Sequence, residues 1–193
     1  MKAARVVPVL LLLATGGLAG CASDTTATVE VPTCAEGAEP TNGVILMAQS
    51  VPTASWVPCL RTALPLGWAF HHLDARNTLA RFWLDSDRDG DKAIEVRLSE
   101  SCDTGGTTEI LSDREGMTRF ERVTQTTPHY EGKRYYVFEG GCITFTFQLT
   151  GDTRGEALAL ATQSVGVISR ADLQAQVQDE SNGRLSLDPA GDG

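Results

Sequence analysis

Three kinds of residue pattern are missing from this chain, and each absence removes a class of function. No C-x-x-C pair occurs, and no histidine stands at ligand spacing from a cysteine, so the common structural zinc patterns are excluded. No Gly-x-Ser-x-Gly elbow occurs, and Ser164 falls inside a predicted helix, which leaves a serine hydrolase without its usual turn. Thr104-Gly105-Gly106-Thr107 is not followed by Lys-Ser or Lys-Thr, so it is not a phosphate-cradling loop. Positive charge is also short. Sixteen Lys and Arg face 25 Asp and Glu, a net charge of -9, which argues against nucleic acid and against electrostatic docking on anionic lipid. No repeat appears at solenoid or propeller spacing. With no visible catalytic constellation, a non-enzymatic protein is expected.

What is present begins at the N-terminus. Lys2 and Arg5 form a short positive start. Val6–Leu13, interrupted by Pro8, forms an apolar middle, and Ala14, Gly16, Gly17, Ala19 and Gly20 follow. That order is the three-part pattern of a secretory signal. The apolar stretch is shorter than the ~20 residues a permanent span requires.

The stretch closes with Leu18-Ala19-Gly20-Cys21, which resembles the lipobox of bacterial lipoproteins: Leu, two small residues and Cys. The resemblance implies a diacylglyceryl group on the Cys21 thiol, with palmitate-type acyl chains. It also implies removal of residues 1–20 and a mature chain held at the extracytoplasmic face of the cell membrane. Two acyl chains give stable anchoring where one is marginal. No twin-Arg motif occurs, so export of the unfolded chain is expected. Loss of residues 1–20 removes Lys2 and Arg5 and no acidic residue, taking the charge from -9 to -11.

Four cysteines remain: Cys34, Cys59, Cys102 and Cys142. An even number in an exported chain implies two disulfides, and three pairings are open. Cys34–Cys59 with Cys102–Cys142 is preferred because each joins sequence neighbours and the second would tie two predicted strands. Cys142 shares parity with the polar face of its strand while Cys102 shares parity with an apolar face. A bulge or a strand end near Ser101 is needed to reconcile them.

Residues 21–40 read as a lipidated flexible tether, poor in large apolar side chains. A single domain over 41–187 and a disordered tail over 188–193 follow. Val44–Met47 reads as a strand. Gln49–Leu66 reads as an irregular arm, with one helical turn near Leu60, because of Pro52, Pro58 and Pro65. Trp68–Asp74 and Leu79–Leu84 flank Arg76-Asn77-Thr78 as a hairpin. Ala93–Ser99, Arg119–Thr124, Arg134–Phe138 and Cys142–Leu149 are further strands; the last alternates Ile143, Phe145, Phe147, Leu149 against Thr144, Thr146, Gln148. The period then lengthens. Capping boxes at Thr153 and Ser169 open two helices, the first stopping at Gly166 and the second before Asn182-Gly183. Arg184–Leu187 reads as a short return strand. The expectation is an α+β fold: an antiparallel sheet of about five to seven strands with the C-terminal helices on one face.

The sharpest local motif is Asp85-Ser86-Asp87-Arg88-Asp89-Gly90-Asp91. D-x-D-x-D-G is the first half of a calcium loop, so Asp85, Asp87, Asp89 and Asp91 are candidate ligands. Its second half departs, with Lys92 in place of an apolar residue and Val96 in place of the bidentate Glu. A solvated acidic turn is the competing reading. His71 and His72 should point to opposite faces of one strand, and His129 follows Pro128 in a loop. Trp56, Trp68, Trp83, Tyr130, Tyr135 and Tyr136 either fill the core or line a binding face; of Tyr135 and Tyr136, one should be the more exposed.

The reading is thus a lipid-anchored extracytoplasmic envelope protein, a module that binds an envelope protein or a small ligand. The alternatives are a small-molecule or lipid carrier, with an apolar cavity between sheet and helices, or an envelope hydrolase.

Overall fold

The computed structural model describes residues 30–34, 39–61 and 63–189. The signal peptide, Cys21, the tether up to residue 29 and the tail from residue 190 lie outside the described residues. Among the described residues no helix is long and apolar enough to cross a membrane.

The architecture is α+β. Helix α1 covers Asn42–Ser50, followed by strands β1 (Trp56–Leu60), β2 (Trp68–Arg76), β3 (Leu79–Ser86), β4 (Gly90–Ser99), β5 (Thr108–Ile110), β6 (Thr118–Gln125), β7 (Tyr130–Phe138) and β8 (Gly141–Leu149). Helix α2 (Arg154–Ser164), strand β9 (Val165–Ser169) and helix α3 (Arg170–Glu180) complete the chain. Seven strands form one antiparallel sheet in the order β2-β3-β4-β8-β7-β6-β5, and β1 pairs with β9 in a two-stranded sheet.

Alternation fixes which face is covered. Phe82 and Leu84 of β3, Ile94, Val96 and Leu98 of β4, and Ile143, Phe145, Phe147 and Leu149 of β8 are buried and lie side by side across the ladder. They meet Val44 and Met47 of α1, Leu158 and Ala161 of α2 and Leu173 and Val177 of α3 in one core. These side chains occupy the layer between sheet and helices. The other face carries Arg81, Trp83, Asp85, Glu95, Arg97 and Thr146.

Several local expectations are corrected. Residues Val44–Met47 lie in a helix, because a four-residue apolar run has no period of its own. Thr41 sets its start: its hydroxyl accepts from the Thr33 amide at 3.0 Å and donates to the Val31 carbonyl at 2.9 Å. The Glu30 carboxylate accepts from the Asn42 amide at 3.2 Å, an acidic group where the helix dipole favours one. Residues 30–34 are thus hydrogen-bonded to the domain, ahead of the expected boundary at 41.

The proline-rich arm contains a strand. Leu60 donates its amide to Pro32 (2.7 Å) while Arg61 donates to Ser164 (3.1 Å), so even-numbered β1 residues face away from β9. The missing N–H of Pro58 thus falls on the outer side of the pair, where a strand tolerates proline.

Ser169 caps α3, its Oγ accepting from the Asp172 amide at 3.0 Å and donating to the Asp172 carboxylate at 2.6 Å. Thr153 makes no side-chain cap. Gly166 does not stop α2; the chain passes directly into β9. The Arg61 side chain lies against Gly166 where a Cβ would be, so glycine serves a close approach there. Arg184–Leu187 forms no strand. Leu187 is buried and donates its amide to Gln174 of α3 at 2.6 Å.

Both preferred disulfides are present, Cys34–Cys59 with Cα atoms 5.7 Å apart and Cys102–Cys142 with Cα atoms 5.9 Å apart. The parity conflict resolves through a strand end. β4 finishes at Ser99, opposite Cys142, and the departing chain brings Cys102 to the polar face.

Candidate functional site

Three of the cavities surround the small sheet. Trp56, the first residue of β1, is half-buried and borders three cavities. One of about 610 Å³ runs past Pro52, Ser169 and Leu187. One of about 740 Å³ runs past Val167, Ile168 and Asp172. One of about 340 Å³ runs past Arg61, Arg114 and Gly166.

Strand β9 forms the floor, and its outer edge has no strand partner among the described residues. Ser164 accepts from Arg61, and Arg170 donates to Ser55 at 2.8 Å; even-numbered β9 residues therefore face β1. The carbonyls of Val165 and Val167 point outward. Each is met by an arginine from elsewhere: Arg114 Nη2 donates to Val165 at 2.7 Å, and Arg61 Nη2 reaches Val167 at 3.5 Å. Charged side chains over a free strand edge block indiscriminate pairing. The Arg61 contact, long and exposed, is the one easily displaced.

Arg114 is held more firmly. Nη2 also donates to Thr162 of α2 at 3.4 Å, so it satisfies carbonyls at a helix C-terminus that has no basic residue of its own. Its guanidinium carbon lies 4.6 Å from the Tyr136 ring centroid and 5.7 Å from that of Phe145. Burial lowers its pKa, opposed by Tyr136 and Asp113. Nη1 is buried without a hydrogen-bond partner among the described residues; contact with the aromatic face offsets that loss. Tyr136 donates to Asp113 at 2.9 Å. Burial raises the Asp113 carboxyl, but the Tyr136 hydrogen bond and Arg119 bring it below the ordinary carboxylate value.

The histidines stand elsewhere. A bulge between Phe70 and Leu73 breaks alternation in β2, so His71 and His72 share the polar face, correcting the expectation of opposite faces. Their centroids are 4.7 Å apart. His71 Nδ1 donates to Asp85 at 2.8 Å. His72 stacks on Trp83 at 4.3 Å, with Arg81 and Lys92 at 4.8 and 5.3 Å from the same ring. Desolvation, then the neighbouring His71 and Lys92, lowers the His72 pKa from 6.5.

The Asp-rich loop is a braced turn between β3 and β4. Asp85 accepts from the Lys92 amide at 2.7 Å as well as from His71. Asp89 Oδ1 accepts from the amides of Thr150 and Gly151 at 2.7 and 2.8 Å, and Oδ2 from the Ser86 hydroxyl at 2.9 Å. Asp85, Asp87, Asp89 and Asp91 do not converge: no three His, Cys, Asp or Glu side chains among the described residues are placed to hold one ion. The first half of the motif therefore supplies turn chemistry, and the expected ligand set is not assembled.

Trp83, Tyr135 and Tyr136 are 9%, 6% and 0% exposed. Tyr136, on the core face opposite Ile143, is buried against Phe145 and Arg114, whereas Tyr135 stands opposite Thr144 on the other face, where the chain after β4 is tied down by Cys102–Cys142. The sequence offered Trp56 as a candidate but missed Arg61 and Arg114. A single arginine in a loop carries no spacing signal. Their role exists only once β9 is seen to be a strand. Compared with family models, curated proteins and solved structures, the chain matches none.

Proposed function

We propose that this chain is a lipid-anchored extracytoplasmic binding module, holding the Trp56 groove outside the cytoplasmic membrane to engage an envelope polypeptide. The lipobox resemblance at Leu18-Ala19-Gly20-Cys21 carries the proposal, because it bears on both where the domain works and how it is retained. The binding half is supported by the groove. A half-buried tryptophan shared by three cavities is the residue type that dominates binding energy at interfaces. The free edge of β9 offers backbone hydrogen bonds to an added strand, and the weak Arg61 contact is the part that must yield.

A photo-crosslinking residue at position 56 in intact cells tests this. It should capture one defined envelope polypeptide, whereas the same residue at Lys133, on the polar face of the large sheet, should not. Equal capture at both positions would contradict the assignment of the groove.

A further inference from the structure

An apolar groove of about 620 Å³ lies at the edge of the large sheet, lined by Val31, Leu60, Ala63, Leu64, Trp68 and Phe70. Trp68 and Phe70 stand on the core face of β2, opposite Ser86 and Leu84, yet both are only half-buried. The covering layer stops short of this edge. Leu66, in the turn before β2, is fully exposed at 104%. Arg61 is the single charged residue lining the groove among the described residues.

The groove lies beside the first described residues. Val31 and Thr33 are part of its wall, and Cys21 is nine residues before Glu30. Nine extended residues reach about 30 Å. Resting on the lipid-anchor reading above, we infer that this groove and Leu66 dock the domain on its own bilayer, accepting acyl chains of the surrounding phospholipids. The anchor holds the tether's exit within reach of the headgroups, and the groove at that exit supplies apolar surface that water disfavours. The mature charge of -11 opposes anionic bilayers, so the contact is apolar and strongest on a zwitterionic surface.

The test uses the lipidated protein reconstituted in phosphatidylcholine vesicles with brominated acyl chains, read by tryptophan fluorescence. Bromolipid should quench Trp68, and Trp68→Phe should remove that quenched component while leaving Trp56 and Trp83 emission. Leu66→Asp, at a fully exposed side chain, should cut the quenching about twofold or more at an unchanged melting temperature. Protein that floats with the vesicles and shows no Trp68 quenching overturns the groove docking alone. The same result would follow if the protein's own unbrominated acyl chain filled the groove. Protein that does not float overturns the anchor reading and this inference with it.

Discussion

Replacing Cys102 and Cys142 together by serine should lower stability by about 4 kcal/mol. The bridge closes a loop with a sequence separation of 40, and the chain-entropy relation gives about that value for such a loop. For a domain of this size the melting temperature should fall by roughly 8–16 °C. The loss has a structural component too, since the bridge holds the segment after β4 against Thr144 and Tyr135 on the otherwise open face. Thermal unfolding without reductant checks it: a double variant melting with the parent would show that the cross-link leaves the unfolded chain no more restricted than before. The Cys34–Cys59 bridge closes the shorter loop, with a separation of 25, and should contribute slightly less.

Arg114→Ala should cost about 2–4 kcal/mol. Three interactions go together: the hydrogen bonds to Thr162 and Val165, the stacking on Tyr136, and the charge beside Asp113. Two carbonyls at the junction of α2 and β9 lose their donor. Arg114→Lys should recover only part of this, because a compact ammonium lacks the planar guanidinium that covers the Tyr136 ring while its Nη2 bonds both carbonyls. Urea unfolding of the parent and both variants tests the ordering. An alanine variant as stable as the parent, or a lysine variant equal to it, would contradict this role.

Legibility followed periodicity. The core strands β4 and β8 alternate cleanly in sequence, above all Ile143, Phe145, Phe147 and Leu149, and the α+β class with helices on one face follows from them; the three-residue β5 was too short to be read. That there are two cross-links was readable from the cysteine number; of the three open pairings, the one preferred for joining sequence neighbours is present. Elements without a period of their own were not. α1 hides in a four-residue apolar run, β1 hides behind prolines whose missing amides face outward, and β9 hides behind a glycine that looks like a helix stop. Those last two form the small sheet, so the candidate groove was invisible even though Trp56 was named. A bulge, which leaves no mark in residue order, reversed the relation of His71 to His72. The Asp-rich turn left two readings open from spacing alone, a ligand set and an acidic turn; what residue order could not show is that Asp85 and Asp89 bond to amides, a hydroxyl and an imidazole.

The account depends most on the sulfur of Cys21, and metabolic labelling with radioactive palmitate measures it directly. The parent protein should carry label and remain in the membrane fraction through high-salt washing, and Cys21→Ser should lose the label and the processed N-terminus together. A parent chain that takes up no label, with the serine variant processed and retained like it, would contradict the account.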